Sequence, residues 1–183
     1  SVALASAIGG AHQAHWSDMR TLTLALQRFE PEMLLGVPRV FEKVRDGAYN
    51  KAAEGSAFKA KTFLEAEKVA IEHSKAMDSG ERLSLRSRVR HKIFDRLVYK
   101  QLRDAVGGKA QLAISGGSAI STDLLHFFRG MGIPIYEGYG LTETAAAACV
   151  NYPGGTKIGT VGKPNNGYSC LLYTSPSPRD GLL

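Results

Sequence analysis

The chain has 183 residues, 44% of them hydrophobic, with 20 glycines and a net charge of +6. That is enough for one sizeable core, and the composition excludes a disordered or collagen-like chain. No apolar run reaches the roughly 18 residues of a spanning helix, and two cysteines, Cys149 and Cys170, make no disulfide framework and fit a reducing compartment.

The start has no initiator Met and no charged stretch before residues 1–10, a poor secretory signal that reads as the middle of a longer chain. Residues 11–16 read as a strand or its edge. Ser17 then stands where a helix N-cap would, with Asp18 in the first turn. Leu22, Leu26 and Phe29 form an apolar helical stripe that Pro31 ends. Residues 33–37 are a short apolar run that predicts a buried strand, and Pro38 opens a helix carrying Val40, Phe41 and Val44. Strand, helix, strand, helix argues for an α/β protein with a mostly parallel sheet.

Residues 41–105 then break the alternation. The stretch is rich in Ala, Lys, Glu, Arg and Leu and predicts a helical excursion inserted between strands, an α-hairpin broken at Asp78-Ser79-Gly80. Leu85, Val89, Ile93 and Leu97 fall at steps of four, with Phe94, Val98 and Leu102 beside them. Sixteen of the 23 basic residues lie between positions 39 and 103, against nine acidic ones, so the positive excess belongs to this segment. It is densest at Arg82, Arg86, Arg88, Arg90, Lys92, Arg96, Lys100 and Arg103. An anionic membrane would suit such a segment, and a solvated helix face explains it equally. Nucleic acid is not expected, because neither a Cys/His metal spacing nor a ladder of stacking aromatics accompanies the charge.

Gly107-Gly108 closes the excursion. Residues 112–114 predict a buried strand, followed by Ser115-Gly116-Gly117-Ser118. Ser121 can cap a helix bearing Leu124, Leu125, Phe127 and Phe128, which Gly130 or Gly132 ends. Residues 133–136 predict the next strand, running into Glu137-Gly138-Tyr139-Gly140-Leu141-Thr142-Glu143-Thr144. Both Gly-rich loops follow strands, and open α/β sheets bind ligands outside the carboxyl ends of strands. Gly138-x-Gly140 is not a dinucleotide fingerprint, because the third Gly position is Glu143, and Gly107-Gly108-Lys109 is not a Walker loop, since the first Gly and the final Ser/Thr are missing. In the second loop, Tyr139 offers a flat face to a base, Thr142 a donor to a phosphate oxygen, and Glu143 a carboxylate for Mg²⁺. A tight hairpin with incidental polar residues accounts for the same string.

Tyr139-Gly140-Leu141-Thr142-Glu143 resembles the Y-G-x-T-E motif of adenylate-forming enzymes. Three further pieces agree in order. Val37-Pro38-Arg39-Val40-Phe41-Glu42-Lys43-Val44 resembles the V-P-R-V-F-E-K stretch of long-chain fatty acyl-CoA synthetases. Ile114-Ser115-Gly116-Gly117-Ser118 is similar to the segment that borders their adenine pocket, and Gly159-Thr160-Val161-Gly162-Lys163-Pro164 to the G-x-V-G-x-P segment beyond it. The likeness covers residues 1–168, as part of a large N-terminal AMP-binding domain. Residues 169–183, alternating Ser and Pro, depart from the family and read as a disordered or artefactual tail.

The resemblance implies ATP, Mg²⁺ and coenzyme A. A long-chain fatty acid carboxylate attacks the α-phosphate of ATP to give acyl-adenylate and pyrophosphate, and the CoA thiol then displaces AMP. It also implies nucleotide binding by Gly116, Gly117, Ser118, Glu137, Gly138, Tyr139, Gly140 and Thr142, catalytic roles for Thr142 and Glu143, and Mg²⁺ at Glu143. A cytoplasmic enzyme, peripheral at the inner membrane face, follows from the same likeness. The family's phosphate loop, ribose-binding Asp and C-terminal lysine are not in these residues, so the chain by itself is expected to be inactive. Two other readings stay open: a fatty acyl-AMP ligase that passes its adenylate to a carrier protein, and a non-enzymatic basic helical module on anionic membrane or nucleic acid. His12 and His15 read as ordinary loop histidines, Cys149 as a small buried residue, Trp16 as packing, and Phe127 and Phe128 as core. Arg39 reads either as a guard of an acyl tunnel or as a helix-start partner of a nearby acid.

Overall fold

A computed structural model describes residues 9–80 and 82–169; the expected tail at 169–183 lies outside them except for its first residue. Helix α1 (Leu22–Phe29) leads to strand β1 (Met33–Gly36). Helices α2 (Pro38–Gly55), α3 (Ala57–Ser79) and α4 (Leu85–Phe94) follow, then a π-helical turn (Asp95–Tyr99) and α5 (Lys100–Ala105). Strand β2 (Leu112–Ser115), helix α6 (Thr122–Gly130) and strands β3 (Ile135–Gly140), β4 (Ala147–Val150) and β5 (Lys163–Pro164) complete the described fold. The described strands form one sheet in the order β1-β2-β3-β4-β5. It is parallel from β1 to β3 and antiparallel from β3 to β5. This is the α/β architecture that the strand–helix alternation predicted, with an antiparallel extension that the sequence pattern did not announce.

The core lies between one sheet face and the helices. Phe41, Phe63, Phe127 and Phe128 meet edge to face, with Phe41–Phe128 centroids 5.7 Å apart and Phe63–Phe127 6.1 Å, the arrangement that ring quadrupoles favour. Phe127 and Phe128 are core, as expected. Tyr99 is fully buried and donates its hydroxyl to the Ala66 carbonyl at 2.7 Å. Helices α3 and α6 come close enough that a Cβ on Gly130 would collide with the Ala70 backbone. Gly132 does the terminating. With φ at +100° it turns the chain while its N–H bonds Arg129 O and Ile133 N–H bonds Phe128 O, the paired bonds of a Schellman cap. The same pair closes α5, from Gly107 N–H to Asp104 O and from Gly108 N–H to Arg103 O.

Several expectations give way. Residues 11–16 form no strand and stay exposed. Ser17 caps nothing, because α1 begins at Leu22. The Asp18 carboxylate instead accepts from Arg20 N and Thr21 Oγ1, a local turn that competes with helix initiation. Trp16 does not pack; it is 56% exposed, with its indole N–H on Asp18 O. Strand β1 is not buried. It lies at the sheet edge, with Met33 and Leu35 on an open face.

The excursion is more than a hairpin. Gly80, left-handed at φ +67°, does end α3 at the expected break. A second break falls at Ser56, whose side chain accepts from Lys59 N and starts α3. In α4 the stripe is inverted relative to its neighbours. Phe94, Val98 and Leu102 face the core, while Leu85, Val89, Ile93 and Leu97 are 50–77% exposed.

Candidate functional site

The two Gly-rich loops sit side by side because β2 and β3 are parallel neighbours and each loop leaves the carboxyl end of its strand. The Gly116 N–H bonds Gly36 O at 3.3 Å, and Gly116 lies against the Gly138 carbonyl. Gly117 sits in the left-handed region at φ +86°, beside Val37. The first loop is thus wedged between the ends of β1 and β3. Gly117 and Ser118 are exposed, as are Tyr139, Gly140, Thr142 and Glu143. Two grooves on the described surface, one against His73 and one along α4, lie away from these loops. The two loops thus present an exposed face at the carboxyl ends of β2 and β3.

Residues 141–146 make a compact turn between β3 and the antiparallel β4. Thr144 organises it: its hydroxyl accepts from Leu141 N at 2.9 Å and points at Ala146 O, 2.7 Å away. Ala145 adopts φ +59°, a conformation costly for a residue with a Cβ. From across the loop, Tyr168 donates its hydroxyl to Thr144 O at 2.7 Å. These contacts hold the turn and leave the Thr142 hydroxyl and the Glu143 carboxylate without a hydrogen-bond or ion-pair partner among the described residues. A single exposed carboxylate beside a hydroxyl, both hard oxygen donors, fits Mg²⁺ that takes its remaining ligands from phosphate and water. No cluster of three or more His, Cys, Asp or Glu capable of holding a metal occurs among the described residues.

Glu137 differs from the other expected site residues. Its side chain is 8% exposed and shares the helix-covered face with Ser115, its register partner. It accepts a bond from Ile120 N, while burial pushes its carboxyl above the ordinary range. The second carboxyl oxygen and the Ser115 hydroxyl find no partner among the described residues. Glu137 thus braces the first Gly-rich loop from beneath, and the face itself is formed by Gly116, Gly117, Ser118, Gly138, Tyr139, Gly140, Thr142 and Glu143.

Three further residues shape the surroundings without a local sequence signal. Asn151, 3% exposed, accepts from Lys157 N at 3.1 Å and donates to Thr160 O. Asn165 donates to Ala147 O at 2.6 Å. Together they fold residues 151–165 back onto β4, and Gly159 reaches the Thr122 methyl at the start of α6. Tyr168 is the third, as above. A buried Asn bridging two backbone groups is legible only when its partners are known. Arg39 pairs with Glu42 at 3.0 Å on the first turn of α2, the helix-start partnership expected of it. Cys149 is buried in β4, as expected.

Comparison with known proteins adds the following. The family model described as AMP-binding enzyme matches residues 2–174. Long-chain-fatty-acid–CoA ligase FadD15 of Mycobacterium bovis is 45% identical over 156 residues, covering 85% of this chain and 26% of that protein. Its namesake in Mycobacterium tuberculosis is 44% identical over the same span. Long-chain-fatty-acid–CoA ligase 3 of Saccharomyces cerevisiae is 35% identical over 137 residues, 75% of this chain and 18% of that protein. The chain spans about a quarter of the length of the mycobacterial relatives it matches.

Proposed function

This chain belongs to the AMP-binding enzyme family, and on that premise we propose that it is the nucleotide-handling part of a long-chain fatty acid–CoA ligase. The reaction would join a fatty acid carboxylate to AMP, with loss of pyrophosphate, and then transfer the acyl group to the thiol of coenzyme A. The observation that carries the reading is the pair of adjacent loops at the carboxyl ends of β2 and β3, with Tyr139, Thr142 and Glu143 exposed on one of them. In this reading the Tyr139 ring packs on adenine, and Gly116, Gly117 and Ser118 pass close to the base. The Gly138 and Gly140 backbones let the nucleotide approach, and Glu137 keeps the first loop in register. The Thr142 hydroxyl donates to a phosphate oxygen, and the Glu143 carboxylate would hold Mg²⁺, which offsets phosphate charge when bound. Catalysis then rests on positioning and charge neutralisation at phosphorus.

The names of the relatives favour coenzyme A over a carrier protein as acceptor. The proposal includes a cytoplasmic enzyme that meets its lipid substrate at an anionic membrane face. No described helix is long and apolar enough to cross a membrane.

The test uses an intact ligase carrying this segment. Glu143→Gln is expected to lower ATP–pyrophosphate exchange by two orders of magnitude or so, a carboxylate-to-metal contact being worth about 3 kcal/mol at the transition state. Tyr139→Ala is expected to raise the KM for ATP while leaving that for palmitate unchanged. Exchange at the parental rate in Glu143→Gln, or equal losses for both substrates in Tyr139→Ala, would refute the assignment.

A further inference from the structure

Three of the chain's five histidines meet where α3, α4 and α6 pack together. His73 of α3 and His91 of α4 lie ring on ring, with centroids 4.0 Å apart and planes 20° from parallel. His91 Nε2 is 2.7 Å from the Gly130 carbonyl at the end of α6; a carbonyl only accepts, so this nitrogen carries a proton. His73 Nδ1 is buried with no hydrogen-bond partner among the described residues. One residue further along α3, the fully buried Ser74 meets His126 Nδ1 of α6 at 3.0 Å and accepts from Arg129 Nε at 2.6 Å. The charges around these rings are mixed. Glu72 and Arg90 line the groove over His73, and Arg90 leans to Glu65 at 3.5 Å. The Tyr99 ring lies 5.2 Å from His91, and Arg103 bonds Asp95 and Met131 O, the carbonyl after that of Gly130. Around His126 stand Arg129 and Lys75, with Asp78 and Asp123. Both acids are already engaged, Asp78 by Arg129 at 2.7 Å and Asp123 by Lys75 at 3.0 Å. Asp78 is 3.9 Å from His126 Nδ1, beyond hydrogen-bond reach. Burial holds both His73 and His126 below the ordinary imidazole range, helped by His91 at the first and by Arg129 at the second.

We propose that His73 and His126 form an acid-released latch: neutral, they let α3 close on α4 and α6, and protonated, they drive these helices apart. A proton on His73 sets a cation face to face with His91 and beside Arg90, with the exposed Glu72 as the acid on that groove. A proton on His126 makes Nδ1 a donor aimed at a hydroxyl oxygen that already serves Arg129, and adds a cation beside Arg129 and Lys75. The unfolded chain takes these protons near the ordinary imidazole value of about 6.5, the folded chain only below it. Stability therefore falls as pH drops from there through the folded values, then levels off. Two carboxyls nearby in the fold do not mimic this. Glu137 holds its extra proton in the folded state and so works in the opposite sense. Arg129 keeps the Asp78 carboxyl below its ordinary range, ionised throughout this window. Helix α6 carries the chain from the first Gly-rich loop to β3, so the latch sets how firmly that connection is held. It acts through the fold and stands whether or not the proposed ligase activity is correct.

The experiment combines amide hydrogen exchange with NMR titration of the histidine rings, on the purified chain between pH 8 and 5. Exchange, corrected for its intrinsic pH dependence, reads the opening constant of each element. For α3 and α6 that constant is expected to rise by up to about a hundredfold per pH unit below 6.5, a factor of about ten for each proton taken up. The paired strands β2 and β3 should keep their protection. His73→Phe leaves a ring against His91, and His126→Asn leaves an acceptor for Ser74, so the double variant should fold and lose the rise. The parental pH dependence in that double variant overturns the proposal. So do His73 and His126 rings that titrate at or above about 6.5 in the parent, a measurement that decides the matter even where the double variant does not fold. Equal acceleration of exchange in the helices and in β2 and β3 would show ordinary global unfolding by acid and overturn it too.

Discussion

Replacing Arg129 tests how the helical excursion is locked to the sheet. Its guanidinium, 16% exposed, reaches from α6 into α3. Nε donates to Ser74 Oγ and Nη2 to Ser74 O, both at 2.6 Å, and the two terminal nitrogens grip the Asp78 carboxylate at 2.8 and 2.7 Å. Ser74 continues the chain, its hydroxyl sharing a hydrogen bond with His126 Nδ1 at 3.0 Å. Arg129→Met keeps most of the apolar stem and removes every donor. Two charge-assisted bonds at the buried Ser74 are lost, each worth roughly 1.5–3 kcal/mol. The Asp78 contribution is discounted, because that side chain is 44% exposed and water replaces the partner. The expected loss is about 3–6 kcal/mol, or a fall in Tm of roughly 6–24 °C for a chain of this size. Arg129→Lys restores one point charge that cannot span Ser74 and Asp78 together, and should recover less than half. Asp78→Asn should cost under about 1 kcal/mol. Urea titrations followed by far-UV circular dichroism would measure all three. A loss below 1 kcal/mol in Arg129→Met, or Asp78→Asn as harmful as Arg129→Met, would refute the claim that Ser74 carries the network.

The close approach of α3 and α6 makes Gly130→Ala a steric probe: the new methyl would press on the Ala70 backbone, for a loss of about 1–3 kcal/mol in the same titrations. Gly47→Ala, inside α2 with open space around it, should instead stabilise by about 0.5–1 kcal/mol; equal effects would contradict the packing. Glu137 supplies a pH signature, since burial holds its carboxyl above the ordinary range in the folded state. The native state holds the extra proton between the unfolded value and its own. This group's contribution to stability therefore falls as pH rises through that window and levels off above it. Glu137→Gln keeps an acceptor for Ile120 N and should flatten that slope, with stability at pH 8 no lower than the parent's; urea midpoints at pH 5 and 8 that keep the parental slope would count against the buried ionisable carboxyl.

Local chemistry made much of this fold readable. Gly107, Gly108 and Gly132 stop helices where the sequence places them, because a left-handed residue after a helix has few substitutes. The short apolar runs at β1 to β3 and the loops after β2 and β3 were equally plain. Tertiary choices were not. Around residues 85–102 two interleaved stripes both satisfy helical spacing. Partner surfaces decide between them: Phe94, Val98 and Leu102 have the core to fill, and Tyr99, at the end of the π-helical turn, reaches Ala66. Strands β4 and β5 carry Ala, Lys and Pro rather than a strand signature, and exist through pairing with β3 and the Asn151 and Asn165 bridges. At the candidate site the exposed residues were legible from their loop. The inward turn of Glu137 was not, because which way a strand residue faces depends on the register with β2.

The unequal crossovers of the sheet also order its assembly in time. Residues 116–134 separate β2 from β3, whereas residues 37–111 separate β1 from β2. Closing the longer connection costs more entropy, and the helices within it must first condense to bring its ends together. The β2-α6-β3-β4 segment is therefore the natural nucleus, with β1 the last strand to add. During synthesis the order is reversed. At about 5–20 residues per second, β1 leaves the ribosome on the order of 4–15 s before β2 exists to pair with it. For that interval Met33, Leu34 and Leu35 form an extended apolar segment with unpaired amides, the kind of stretch a nascent-chain chaperone binds.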